Sequence, residues 1–76
     1  GEKVMPIVLA PTGVMLKIVR VSAGDELKKH LESLGITIGG ELKVLSNSGK
    51  SVICLIKDGR VALDSDLSTR IFVTEG

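Results

Sequence analysis

Helical periodicity occurs in only one segment of the chain, and this limits what the remaining residues can form. Within Asp25–Leu34 the leucines recur at intervals of four and three residues, at positions 27, 31 and 34. This spacing predicts one amphipathic helix that packs a single face against the protein. Ser22 or Asp25 is expected to cap the helix N-terminus, and Gly35 is expected to end the helix in a left-handed conformation.

Segments typical of β-strands surround this helix. They are rich in β-branched and apolar residues or alternate between apolar and polar residues, and turn formers such as Asp58-Gly59 separate them. Five strands are predicted, over residues 14–21, 41–45, 52–56, 60–63 and 71–73. The segment Asp64-Ser65-Asp66 is predicted to cap a short helical turn through Thr69, just before the last strand.

Five short strands in a chain of 76 residues favour a small barrel over a sandwich, because closure removes edges that so short a chain cannot cover. The predicted fold is mainly β, a five-stranded barrel with one α-helix between the first and second strands and a helical turn before the last. Residues 1–76 are expected to form a single domain. Six positions are predicted to lie in its core: Ile18, Leu27, Leu31, Leu34, Val44 and Ile56.

Residues that carry chemistry are scarce in this sequence. His30 and Cys54 are the only residues of their types and lie in different elements, so neither a nucleophilic triad nor a zinc site is indicated. Cys54 is in phase with apolar neighbours and is expected to be a buried structural thiol, with a reactive thiol as the alternative. We therefore expect a protein that is not an enzyme, with no catalytic residue, no metal ligand and no cofactor.

Charge and aromatic content argue against two common functions of small barrels. The net charge of +1 gives no field that would attract nucleic acid or an anionic membrane surface, and no apolar run is long enough to span a bilayer. Phe72 is the only aromatic residue, whereas barrels that bind bases or proline-rich peptides present several. Contact with another protein is the function that fits this composition.

The strand over residues 52–56 has apolar residues on both of its faces. Alternate residues can face the core, which leaves Ile53 and Leu55 on the other face and Leu45 in the same phase on the neighbouring strand. Either the helix or segment 5–9 covers this second face, or it is an exposed patch that marks an interaction site. The predicted partner-binding residues are Leu45, Ile53, Leu55 and the exposed helix residues Lys28, Lys29 and Glu32.

The order of the motifs carries a resemblance to a known family. Ala-Pro-Thr-Gly at positions 10–13 precedes the first strand, and the helix leads into the pattern Leu31-x-x-Leu34-Gly35-Ile36-x-x-Gly39. Together with the closing segment 61–73, this series resembles FeoA, the ferrous iron transport protein A family, over nearly the whole chain. The sequence departs from the family at Ile38, where proline is usual, and at Ile53 and Leu55, where polar residues are common.

This resemblance implies an SH3-like barrel in the cytoplasm that assists FeoB, the membrane ferrous iron transporter with a cytoplasmic G-domain. The chain would be an accessory protein that acts by protein–protein contact, without nucleic acid and without inserting into the membrane. Weak self-association is left open.

The alternative is the C-terminal SH3-like domain of a metal-dependent, iron-responsive transcriptional repressor, which shares the fold. Full-length repressors carry an N-terminal helix-turn-helix region that is not found in these 76 residues, so the accessory protein is favoured.

Overall fold

The computed structural model describes residues 3–57 and 59–75. In these residues the strands are β1 (Met5–Pro6), β2 (Met15–Val21), β3 (Glu41–Asn47), β4 (Ser51–Ile56), β5 (Gly59–Asp64) and β6 (Ile71–Thr74). The α-helices are α1 (Asp25–Ser33) and α2 (Ser65–Arg70), and a 3-10 helix covers Ile7–Leu9. The predicted strands and both helical segments are confirmed. The predicted turn at Asp58 lies outside the described residues.

All neighbouring strands pair antiparallel, in the order β1-β6-β2-β3-β4-β5 across one sheet. The register shifts between Ile18 and Arg20 on β2 and again between Val44 and Ser46 on β3. Such irregularities bend a strand and increase its twist, which allows the sheet to curl around its apolar face. The fold is the mainly β, SH3-like one that the sequence predicts, with six strands where five were expected.

The additional strand is β1, which pairs Met5 with Val73 and Pro6 with Phe72. It was missed because a strand of two residues has no periodicity to detect, and because proline argues against a strand in general. Proline is tolerated here because β1 lies at the edge of the sheet, where a missing N–H breaks no ladder. The 3-10 helix that follows places Ile7 in the core.

The core lies inside the curl of the sheet and consists of apolar side chains from every strand except the two-residue β1, together with α1 and two connecting segments. Ile18, Leu31, Val44 and Ile56 are buried as predicted. Leu27 and Leu34 were also predicted to be core, but they are only half-buried and pack against its margin. In α1 only Leu31, in the last turn of the helix, is fully buried.

The two ends of α1 are built differently. Gly24 is the N-cap residue and provides no side-chain acceptor, so the expectation that Ser22 or Asp25 caps the helix was wrong. Neither residue occupies the N-cap position, from which a side chain reaches the free amides of the first turn. At the other end Gly35 has a φ of +94°, as predicted.

The C-terminal end of α1 is a Schellman motif. The Gly35 amide donates to the Glu32 carbonyl and the Ile36 amide donates to the Leu31 carbonyl, both at 2.9 Å. This arrangement satisfies carbonyls that the helix leaves free and brings the buried Ile36 beside the buried Leu31. The chain therefore leaves α1 in a fixed direction.

The short helix α2 begins as predicted, since Asp64 Oδ1 accepts a 2.8 Å hydrogen bond from the Leu67 amide. It packs against the 3-10 helix and the ends of β4 and β5. Neither α1 nor α2, the α-helices in the part of the chain that the structure describes, is long and apolar enough to cross a membrane.

Candidate docking surface

The turn over residues 37–40, between α1 and β3, carries an exposed apolar residue. The Gly40 amide donates to the Thr37 carbonyl at 2.9 Å, and Gly39 has a φ of +90°. A hydrogen bond across four residues with a positive φ at the third is the signature of a type II turn. Ile38 therefore occupies the second position, where its side chain projects from the turn and is 64% exposed.

Two backbone hydrogen bonds hold this turn against the middle of the sheet. The Gly39 amide donates to the Ile18 carbonyl, and the Ile18 amide donates to the Gly40 carbonyl, each at 2.8 Å. Strand β2 thus pairs with the turn at Ile18, just beyond its pairing with β3 at Lys17. An exposed apolar residue on a turn fixed in this way is presented in one orientation.

A groove lies on each side of the turn, and Thr37 borders both. The smaller groove, of about 260 Å³, lies between α1 and the turn and is lined by Val21, Lys28, Leu31, Glu32, Ile36, Thr37 and Ile38. The larger groove, of about 540 Å³, lies between the turn and the sheet, where it includes Met15, Lys43 and Leu55. Ile38 borders the smaller groove, and Thr37 connects that groove to the larger one.

The floor of the larger groove is a row of residues across three strands. Met15 pairs with Lys43 and Lys43 pairs with Leu55, so the three side chains lie on the same outward face of the sheet. Met15 is 49% exposed and Leu55 is 40% exposed. We call Met15, Thr37, Ile38, Lys43 and Leu55 the turn surface. It combines three exposed apolar side chains with one lysine.

The structure divides the residues predicted to bind a partner into two groups. Lys28 and Glu32 line the smaller groove, and Leu55 belongs to the turn surface. Lys29, Leu45 and Ile53 line neither groove. Lys29 is exposed on α1, and Leu45 and Ile53 are on the outward face of β3 and β4.

Of the two alternatives for this second face, the exposed patch describes it better. Leu55 is 40% exposed, Leu45 is 37% exposed and Ile53 is half-buried. The segment from Met5 to Leu9 instead pairs with β6 and packs against α2. Leu45 projects at the register shift between β3 and β4, where it has no direct partner across the pair.

Sequence reasoning missed four members of the turn surface, Met15, Thr37, Ile38 and Lys43. Met15 stands in the outward phase of β2, beside the buried Leu16, and an apolar residue in a phase expected to be polar was a signal that could have found it. Ile38 was noticed only as a departure from the family pattern. Its position next to Thr37, which borders both grooves, depends on the docking of the turn onto β2, which no local pattern reveals.

In the part of the chain that the structure describes, the residues that could carry chemistry have different environments. Residues 3–57 and 59–75 contain no group of three or more metal-ligating side chains, and His30 is exposed on α1. Cys54 is fully buried, and burial raises the pKa of its thiol to about 11, which agrees with the structural role predicted for it. The Arg20 guanidinium lies 4.1 Å from the centre of the Phe72 ring and occupies its face.

Comparison with known proteins points to one family. The family model described as FeoA domain matches residues 5–75. A Methanocaldococcus jannaschii protein with the provisional name Fe(2+) transport protein A is 31% identical over 70 residues, which cover 92% of this chain and 85% of that protein. A crystal structure of an iron uptake regulatory protein, FeoA, is 25% identical, with a TM-score of 0.87 over 95% of this chain and 97% of its own.

A second group of structures shares the fold. A manganese-dependent transcriptional repressor matches the whole of this chain with a TM-score of 0.87, over 44% of the repressor chain. The identity is 20%, so this likeness concerns the fold alone.

Proposed function

The chain belongs to the FeoA domain family, and from that premise we propose that it is an accessory protein of ferrous iron uptake that acts by contact with a FeoB-type membrane transporter. The contact would be with the cytoplasmic G-domain of the transporter, which places the chain in the cytoplasm. The observation that carries the proposal is family membership together with an exposed, rigidly held turn surface.

The turn surface supports a role in protein contact through its composition and its rigidity. Exposed apolar side chains are typical of interaction sites, and here Ile38 borders the smaller groove while Met15 and Leu55 border the larger one, with Thr37 between the two. Because backbone hydrogen bonds fix the turn, little conformational entropy would be lost on binding.

Charged residues at the rim would orient such a partner. Lys28 and Glu32 border the apolar groove beside Ile38, whereas Glu41, Lys43 and Lys57 border the groove beside Leu55. Each groove is bordered by both acidic and basic residues, so the turn surface does not select a partner by net charge. Charge pairs at a rim influence association rate and register more than affinity.

The test is a titration of isotope-labelled protein with the isolated G-domain of the cognate transporter and with the intact transporter, each with and without guanine nucleotide. Amide shift changes confined to residues 15, 28–38, 43 and 55 are expected. Ile38→Lys and Leu55→Glu are expected to weaken binding at least tenfold, since each places a charge in an apolar contact. A nucleotide dependence would indicate regulation of the GTPase cycle.

Leu9→Lys is the matched control for these variants. Leu9 is 71% exposed in the 3-10 helix and lines neither groove, so the same apolar-to-charged change should leave the affinity unaltered. Equal weakening by Leu9→Lys and Ile38→Lys would contradict the assignment of the surface. If neither the G-domain nor the intact transporter caused shift changes, the proposed partner would be contradicted.

The repressor domain is the second candidate, because a manganese-dependent repressor matches the fold of this whole chain with the same TM-score as the FeoA structure, although at lower sequence identity. A domain of that kind would contact the DNA-binding part of a repressor rather than a transporter. Titration with that part is therefore the counterpart experiment. Shift changes there, with none from the transporter, would favour this second candidate.

A further inference from the structure

The two edges of the sheet differ in how well they are protected against pairing with another strand. One edge is β1, which has only two residues and includes Pro6. The other edge is β5, which has six residues, no proline and an unbroken register with β4. Within residues 3–57 and 59–75, β4 is the only strand that pairs with β5. A long, regular edge is a template for an added strand.

Alternation along β4 shows which backbone groups of β5 face away from the sheet. Ser51 is the first residue of β4, and its carbonyl accepts a 3.0 Å hydrogen bond from the amide of Ser48, in the connection from β3. The backbone groups of Ser51 therefore point toward β3. Because these directions alternate in an antiparallel ladder, the backbone groups of the next residue, Val52, point toward β5. Val52 pairs with Leu63, and the groups facing away from β4 are therefore those of Arg60, Ala62 and Asp64.

The side chains at these three positions are exposed as well. Ala62, in the middle of the strand, has no bulk that would keep another backbone away. Asp64 uses Oδ1 to cap α2, which leaves Oδ2 available. Neither Arg60 nor Asp64 forms an ion pair within the described ranges 3–57 and 59–75.

We propose that β5 pairs antiparallel with β5 of a second copy of this chain, about a two-fold axis midway between the two Ala62 residues. In this register Ala62 faces Ala62 of the other copy, and Arg60 faces Asp64 of the other copy. Two hydrogen bonds join the Ala62 residues, and the Asp64 amide of each copy donates to the Arg60 carbonyl of the other. The two curled sheets would become one continuous twelve-stranded sheet, twice the six strands of one copy.

Charge complementarity selects a second copy as the occupant of this edge. A strand with an arginine and an aspartate two residues on either side of its centre complements itself when it is reversed, and both opposite-charge pairs form at once. The pairing uses the outward groups of one strand only, so its area is small and the dimer is weak and rapidly exchanging.

The test is self-association of the full chain followed by sedimentation velocity and by amide shifts from micromolar to millimolar concentration. The proposal expects concentration-dependent shifts in β5, and an isotope-filtered contact between the α-protons of Val61 in one copy and Leu63 in the other. Arg60→Glu should abolish both, because it places two carboxylates together in each pair. Lys3→Glu makes the same charge change before β1, at the opposite edge, and should leave association unaltered.

Ala62→Pro is a second variant, which removes the outward amide at the two-fold axis and should also leave a monomer. A chain that is monomeric at every concentration overturns the proposal. Self-association that survives Arg60→Glu overturns it too, and so does association that perturbs another face. These outcomes are independent of binding to a transporter, which the turn surface would mediate.

Discussion

Ile18 and Gly39 are joined by a 2.8 Å hydrogen bond from the Gly39 amide to the Ile18 carbonyl, and the Ile18 amide donates in return to Gly40. This exchange is a short continuation of the sheet, in which a turn takes the place of a strand. It connects the end of α1 to the buried centre of β2. The orientation of Ile38 therefore depends on the core of the protein rather than on a free loop.

Ile38→Pro is predicted to stabilise the protein. Proline suits the second position of a type II turn, and the Ile38 amide donates no hydrogen bond within the described residues. Fixing φ in the unfolded chain should raise the free energy of unfolding by about 0.4–1 kcal/mol. Denaturant unfolding monitored by circular dichroism measures this change.

Gly39→Ala in the same turn provides the opposite control. An alanine at a φ of +90° is strained even though no atom lies within 4 Å of the added methyl group. The expected loss is about 1–2 kcal/mol. If Ile38→Pro destabilised the protein while Gly39→Ala did not, the turn would not be of type II.

The N-terminus of α1 offers a second stabilising substitution. Gly24 holds the N-cap position with φ −72° and ψ 173°, and a side chain added there meets no atom within 4 Å. Gly24→Ser supplies the missing acceptor, whereas Gly24→Ala adds a methyl group without one. The serine variant should exceed the alanine variant by about 1 kcal/mol in the free energy of unfolding. Equal stabilities would show that the serine does not cap α1.

The fold was predictable for those elements whose apolar residues recur with a regular spacing along the sequence. The change from a period of two to a helical period located β2, α1 and β3, and Asp64 marked the start of α2. Strand β1 and the N-cap of α1 were not predicted, each for a local reason. Strand β1 is too short to have a period, and the cap of α1 is a glycine that carries no side-chain signal.

The candidate surface was predictable only in part, because it is assembled from distant segments. Alternation along β4 placed Leu55 on the outward face. The placement of Met15 and Leu55 along one groove, and of Ile38 along the adjoining one, requires the pairing of β2, β3 and β4 and the docking of the turn on Ile18. Both are tertiary relationships that a single sequence does not specify.

Leu31→Ala tests how α1 is attached to the barrel. Leu31 is fully buried and lies beside Ile36 at the Schellman motif, so truncation leaves a cavity at the base of the turn. The expected loss is about 2–5 kcal/mol in the free energy of unfolding. Leu27→Ala is the control and should cost less, since Leu27 is only half-buried. Equal losses would mean that α1 packs through a different face.

The buried thiol of Cys54 should make the protein less stable in alkaline solution. Burial raises the pKa of its thiol from 9.0 to about 11, so the folded state holds the proton more tightly than the unfolded state does. The stabilisation is complete below pH 9, and it is lost as the pH rises through 11, by an amount on the order of 2 kcal/mol. Cys54→Ala removes this contribution but leaves the lysines in place. Comparing unfolding free energies of the two proteins from pH 8 to pH 11 under reducing conditions therefore isolates the thiol, and parallel curves would show that it titrates normally in the folded protein.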